Sequence, residues 1–570
     1  MTTKLIHPFL VSFLLFSVCY ECDQSSDDLD RLCDLTNPLF RMNLLNDAMK
    51  RLQNKYDIGN GLAVFGICDP TDPNINPDCL NYNNPSVAYG STLVPCPDNG
   101  ECPPETPSSF LSGKSGFYQP MQDHGLVLFG CLPPKTDYFG IRTYLYEKAK
   151  FNVEDDLDCS NAMSSPTGEE VNVFPPNPTV NGSRVVVDIP WYNTRNQLSI
   201  NASGKPDSHT KFRSLFVHVT TANKQVAEDI VEAFTDSGVP VEAMNIDSIP
   251  NMPVFHLEGN SSIRDSFRTI YRLVLPESSV STSDTSSQEI EKYISAANMN
   301  ILVRYLTPKV LVPKNGFPAT MPTKRTVGQH EKDTVGEKTF QVLLSAVKSI
   351  YGEPNYVSYP IPIVINTTKC LRGCYGFGNN EDTVYINTDR NISLAGAGDF
   401  AVVCGANHVV LQTAVYTNVG VFNTSGLAVG VATDEMKLNS AVRFAEDLPH
   451  IRKFYCLDIR SHCNGEPFCI QPIFEDVKTV LVQFRINLNP HTKTGPATNE
   501  IIWPVTLGYR MEKVIKIIQS FQQHTSKNLK DWTKICQDKK IKRDVNRYRL
   551  WFLFVSKGIF WECFTFSTSH

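Results

Sequence analysis

The placement of seventeen cysteines constrains this chain more than any other feature. Cys19 lies in an apolar leader. Eight more fall early (Cys22, Cys33, Cys68, Cys79, Cys96, Cys102, Cys131 and Cys159), and none occurs from Ser160 to Lys369. Six follow (Cys370, Cys374, Cys404, Cys456, Cys463 and Cys469), and Cys536 and Cys563 complete the set. Without Cys19 sixteen remain, an even number that suits disulfides in an oxidising compartment. The even count in each block suggests pairing within blocks, although eight cysteines alone allow 105 connectivities. Cys96 with Cys102, and Cys370 with Cys374, are close enough for small local loops, while longer pairings stay open.

The leader supports that compartment. Lys4 gives a short positive start, and Phe9–Val18 is an apolar run of ten residues before the acidic stretch from Asp23. That length suits a secretory signal peptide over residues 1–20 and is too short to span about 30 Å of hydrocarbon. Cleavage is expected near Cys19 to Cys22. N-x-Ser/Thr sequons stand at Asn181, Asn201, Asn260, Asn366, Asn391 and Asn423, all acceptors for N-linked glycans in a secreted chain. A secreted or extracellular location is therefore expected, with a secretory lumen, vacuole or lysosome as the alternative.

The 570 residues, 41% hydrophobic and 20% charged, exclude a disordered, collagen-like or coiled-coil chain. The net charge of -6 gives no electrostatic support for nucleic acid, which is not expected as a partner. From His524 to His570 ten Lys or Arg face four Asp or Glu, so the tail carries +6 and the rest -12. Basic residues there precede the aromatic stretch Leu550–Phe566, which could make a weak peripheral membrane contact.

Periodicity indicates a mixed α/β (α+β) fold. A helix over Leu39–Leu52 places Leu39, Met42, Leu45, Met49 and Leu52 near one face, with Gly59 and Gly61 as its stop. The runs Gly61–Gly66 and Gly125–Gly130 read as two short buried strands with similar exits. Leu215–Val219 reads as a strand followed by a helix capped by Asn223, carrying Val226, Ile230, Val231 and Phe234 and ended by Gly238, a β-α-β unit. A further helix carries Phe340, Leu343, Leu344, Val347 and Tyr351 and stops at Gly352, and Tyr359–Ile365 reads as a strand. Phe400–Thr433 contains no charged residue, yet Val409, Leu411, Val415, Val419 and Val421 alternate with polar residues or glycine, which indicates strands rather than a membrane span. A last helix is expected over Tyr509–Gln522. The division expected is a signal at 1–20, a Cys-rich lobe at 21–160, a Cys-free α/β region at 161–312, a linker at 313–338, a disulfide-bearing α/β lobe at 339–523 and the tail at 524–570.

Chemistry-bearing motifs are few. Gly113-Lys114-Ser115 lacks the first glycine of a phosphate loop, and Gly396-Ala397-Gly398 reads as a turn. His330-Glu331 lacks the second histidine of a zinc-protease helix, and no G-x-S-x-G elbow occurs. The acidic and amide residues between Cys68 and Cys79 lack the EF-hand spacing. His450, Cys456, His462, Cys463 and Cys469 are zinc-type ligands, but cysteines in an oxidising compartment pair with one another more often than they bind metal, so no metal or other cofactor is expected. For an enzyme, His408 with Asp399, and then His124 beside Asp123, are the candidate base and orienting carboxylate. Two classes survive. One is an extracellular binding or cell-surface protein with a protein or glycan partner, the reading that glycans, disulfides and absent motifs fit better; the other is a secreted hydrolase using His408 or His124 with a carboxylate.

Overall fold

Helices cover one face of a five-stranded sheet, a second sheet covers the other, and the whole arrangement occurs twice. The computed structural model describes residues 38–67, 87–96, 113–153, 183–203, 212–275, 285–319 and 328–510, apart from short gaps within them, with a few isolated positions that include Cys33 and Cys159. They belong to one compact unit. The leader, the Cys68–Cys79 loop and the tail lie outside the described residues.

In the first half, helix α1 (Pro38–Leu52) precedes β1 (Tyr56–Asn60), β2 (Leu62–Ile67), β3 (Val87–Pro95), β4 (Gly125–Cys131), β5 (Phe139–Ala149), β6 (Arg184–Pro190) and β7 (Leu215–Thr221). Helix α2 (Lys224–Asp236), β8 (Met244–Ser248), β9 (Ser266–Val274) and β10 (Ile301–Pro308) complete it. The second half repeats the order with helix α3 (Glu337–Tyr351), β11 (Tyr356–Ser358), β12 (Pro360–Pro362), β13 (Thr383–Thr388), β14 (Phe400–Ala406) and β15 (Tyr416–Asn423). It ends with β16 (Ala428–Ala432), β17 (Phe454–Arg460), β18 (Cys469–Ile470), β19 (Thr479–Asn487) and β20 (Val505–Tyr509).

The sheets identify the duplication. One sheet runs β1-β10-β4-β7-β8 and its counterpart β11-β20-β14-β17-β18; the other runs β2-β3-β9-β5-β6 and its counterpart β12-β13-β19-β15-β16. Two-residue strands such as Val180–Asn181, Arg195–Asn196 and Ile392–Ser393 apart, each strand is replaced by the one ten places later. In each half the pair β7/β8 or β17/β18 is parallel, whereas the other pairs along these paths are antiparallel. Register agrees as well: Gly125 faces Thr221 as Phe400 faces Arg460, and Val87 faces Val274 as Thr383 faces Asn487. The two halves differ most at the parallel crossover, which takes α2 in the first but only residues 461–468 and the Cys463–Cys469 disulfide in the second.

Layering explains the apolar runs. On one side of the first sheet, Leu45, Ala48 and Leu52 of α1 and Val226, Ile230 and Phe234 of α2 pack on Val127, Phe129, Val217 and Val219. On its other side Leu126, Leu128 and Phe216 meet Phe139, Ile141, Phe267 and Leu273 of the second sheet. A strand buried on both faces has no polar side, so Gly125–Cys131 is buried throughout. The second half does the same with Phe340, Leu343 and Val347 against Val402 and Leu507, and with Val403 and Leu457 against Val421 and Phe484. This accounts for Phe400–Ala406, the start of the uncharged segment, as a central strand.

The mixed α and β class and the disulfides agree with expectation, as do the helices ended by Leu52, Asp236 and Tyr351. Asn223 accepts from Gln225 N at 2.9 Å, and Gly238 and Gly352 take φ of 91° and 83°. Several details differ. Gly59 lies in β1 rather than at a helix stop, Tyr359–Ile365 divides into β12 and the short strand Val364–Ile365, and residues 408–413 form turns before β15. Tyr509 ends a strand, and the rest of the helix expected to Gln522 lies outside the described residues. Both first-half sheets draw strands from either side of residue 160, so the change in cysteine density there marks no break in either sheet.

Four disulfides are formed among the described residues: Cys33–Cys131, Cys159–Cys374, Cys404–Cys456 and Cys463–Cys469. Pairing within blocks is corrected by Cys159–Cys374, which ties the halves together across the cysteine-free stretch. Its Cα atoms stand 5.5 Å apart because Met163–Ser164 pairs with Val364–Ile365 beside it. Cys370 is therefore not bonded to Cys374; it is a free, buried thiol, pushed up to about 12 by burial. No helix among the described residues is long and apolar enough to cross a membrane.

Candidate functional site

The catalytic candidates are held apart from the partners expected for them. Asp399 and His408 flank β14, and seven strand residues span about 20 Å. Asp399 accepts from Gly396 N at 3.0 Å and closes the turn before the strand. His408 does meet a carboxylate, but it is Glu331: Nδ1 lies 2.6 Å from Glu331 Oε1. Thr413 Oγ1 donates to the same oxygen, and Ile502 N donates to Oε2 at 2.7 Å. His408 and Glu331 are both buried. Glu331 N also donates to Glu500 O at 2.7 Å, and the Glu500 carboxylate takes Ala497 N and Gly328 N. The end of the expected linker is thus a short helix, Glu331–Val335, latched into the second half by two buried glutamates.

His124 has a phenol rather than a carboxylate, with Nδ1 2.8 Å from Tyr305 Oη. Burial and the nearby Arg264 guanidinium lower His124 to about 4, so it is neutral at pH 7. The zinc-type set loses its thiolates to disulfides: Cys456 bonds Cys404, and Cys463 bonds Cys469. His450, at a left-handed φ of 61°, and His462 are exposed. Of the sequon asparagines, Asn201, Asn260, Asn366 and Asn391 are exposed and Asn423 is half-buried.

A different cluster stands at the seam between the halves. On the second sheet of the first half, Arg272 of β9 pairs with Tyr89 of β3 in the ladder. Its guanidinium lies 5.9 Å from the Tyr89 ring and 5.5 Å from the Tyr144 ring of β5. The second half repeats the arrangement at the matching positions. Arg485 of β19 pairs with Tyr385 of β13, and its guanidinium lies 6.0 Å from the Tyr385 ring and 5.5 Å from Phe422 of β15. The two clusters meet. Burial raises the Tyr385 phenol, while Arg272 and Arg485, one from each half, pull it down. Val87, Tyr138 and Val274 from the first half pack there with Tyr416 and Leu488 from the second.

A loop from the second half crosses this face just after the tether at Cys374. Gly376 N donates to Val187 O at 2.6 Å, and Gly378 N donates to Asp188 O at 2.9 Å. Glycine is required at 378, where φ is 59° and a Cβ would stand 2.9 Å from Asp188 Oδ2. Arg272 donates to Tyr144 Oη at 2.6 Å and to Gly378 O at 3.3 Å. Its neighbours are ion-paired: Arg268 Nε lies 3.0 Å from Asp188, and Arg142 lies 3.6 Å from Glu381. Beneath the loop, Asp382 accepts from Asn196 Nδ2 at 2.8 Å and Tyr138 Oη at 3.1 Å. Burial raises Asp382 to about 6, even though Asn196, Arg142 and Tyr138 pull it down.

No single segment of sequence signals this seam. The residues come from β3, β5, β9 and the Gly376–Asp382 loop, and the one local sign is the spacing of Arg268 and Arg272 on one face of β9. Chemically the seam offers cations, phenols and one carboxylate that burial raises to about 6, and among the described residues no nucleophile stands there beside a base.

No family model matches the chain, and no curated protein is similar to it. Among solved structures, an uncharacterized protein from Burkholderia cenocepacia is 10% identical, with 86% of this chain and 94% of that one covered at a TM-score of 0.32. The VPA0106 protein from Vibrio parahaemolyticus is 9% identical, with 85% and 100% covered at a TM-score of 0.32. Likenesses of that size carry no argument about function.

Proposed function

We propose that this chain is a secreted N-glycosylated protein whose work is extracellular binding, with the seam between its halves as the recognition site. The observation that carries the reading is the guanidinium–aromatic cluster at the seam, in which Arg272, Tyr89 and Tyr385 are half-buried, while Tyr144, Arg485 and Phe422 are buried and hold them in place. Arginine and tyrosine dominate recognition surfaces because each presents a large rigid contact and directional hydrogen bonds. Four disulfides and four exposed sequon asparagines support the extracellular part. The partner is an extracellular protein or glycan.

The hydrolase reading has one observation in its favour, the His408–Glu331 contact at 2.6 Å. A base needs a nucleophile within hydrogen-bond reach. Thr413 spends its hydroxyl on Glu331 and on His408 O, so the geometry favours a latch. The test is an array of extracellular glycans and proteins probed with the purified full chain and with Arg272→Gln. Specific capture that Arg272→Gln loses is the expected result. Capture that survives this change, or hydrolysis abolished by His408→Gln in a folded protein, would contradict the proposal.

A further inference from the structure

We infer that Arg272 is an oxyanion-binding residue, receiving a carboxylate, sulfate or phosphate group edge-on at the seam. Arginine carries five N–H donors in a planar fork and keeps its charge at all relevant pH. Arg272 makes two hydrogen bonds, both to neutral oxygens: Tyr144 Oη and Gly378 O. No carboxylate among the described residues pairs with it, whereas Arg142 and Arg268 beside it have Glu381 and Asp188. It is also half-buried, so its charge is poorly hydrated.

The aromatic rings define how a ligand approaches. Tyr89 and Tyr144 stand within cation–π range of the guanidinium. Tyr144 takes one N–H through its hydroxyl and Gly378 O takes another, which leaves three of the five N–H donors for a ligand. Edge-on approach to a guanidinium matches the paired oxygens of a carboxylate, sulfate or phosphate, which accept two parallel N–H bonds. The Gly378 carbonyl, at 3.3 Å, holds a long bond that a charged oxygen would outcompete. Arg485 repeats the cluster but is 5% exposed, so the first half carries the accessible site.

This inference deepens the binding reading and rests on it, and its test separates the two. The full chain is titrated with sodium sulfate, sodium phosphate or sodium glucuronate, against sodium chloride of equal ionic strength, and the unfolding temperature is followed. A saturable rise with at least one of the three is expected, and which one responds assigns the natural group. Arg272→Gln should weaken the apparent affinity at least tenfold, while Arg213→Gln, at an exposed ion pair with Glu289, should leave it unchanged. Should Arg272→Gln fail to fold, Arg272→Lys keeps the charge without the fork and should weaken affinity at least threefold. No response beyond chloride, or a variant at position 272 that responds like the natural chain, overturns the site. A clear response to an oxyanion alongside a silent array would leave the site standing and sink the binding function.

Discussion

Replacing Asp382 by Asn should stabilise the protein at pH 8 and have almost no effect at pH 4. Asp382 is 2% exposed, and its oxygen accepts from Asn196 and Tyr138 of the opposite half. Burial lifts it from 3.8 to about 6. An unfolded aspartate titrates near 3.8, so between these values the folded chain holds a proton that the unfolded chain has released. The stabilisation that goes with that proton is complete below pH 3.8 and is lost as pH rises through 6. A difference of about two pKa units at about 1.4 kcal/mol each makes the ionised state costlier by about 3 kcal/mol. Asparagine keeps an acceptor for both donors without the buried charge. Urea unfolding of both proteins from pH 4 to pH 8 measures the gap, which should open with rising pH and level off above pH 6 to 7. A gap independent of pH, or a variant less stable at pH 8, would refute the burial argument.

Three further outcomes follow from named contacts. His124, lowered to about 4 by burial and Arg264, favours folding when neutral, so that its contribution is lost as pH falls from 6.5 toward 4. His124→Gln should flatten this acid loss, of up to about 3 kcal/mol, in unfolding midpoints across that range. Removing the tether by Cys159→Ser with Cys374→Ser opens a sequence separation of 215 residues and should cost about 5 kcal/mol, read as a lower urea midpoint without reductant. Glu331→Ala leaves His408, Thr413 and Ile502 N without their acceptor and should cost about 3 kcal/mol or more, with faster proteolysis near residues 328–335.

What could be read in the sequence was local. Gly125–Gly130 and Leu215–Val219 announce themselves because strands covered on both faces become unbroken apolar runs, and Asn223 and Gly238 mark the ends of α2 by their own conformational chemistry. The duplication is a matter of strand order and register, which different residues fill equally well. GLVLFGC and FAVVCGA occupy the same central position, and a 13-residue helix in one half is replaced by a disulfide loop in the other. Cysteine counts indicated bonding but not partners, since Cys159 and Cys374 lie 215 residues apart and meet only where the two halves lie against each other. His408 was legible as a histidine in need of a carboxylate, but nearness in sequence pointed to Asp399 while the chain brings Glu331. Arg272, Tyr89 and Tyr144 were illegible for the same reason: hydrogen-bonded strands, not neighbouring positions, place them together.

The proposal as a whole stands on passage through an oxidising, glycosylating compartment. The measurement that tests this most directly is the intact mass of the full chain from medium and cells of a eukaryotic secretory host, with and without glycosidase and reductant. A shortened product in the medium, heavier by glycans and with Cys159 bonded to Cys374, is the predicted result. An unshortened, unglycosylated and fully reduced chain retained inside the cell would contradict it.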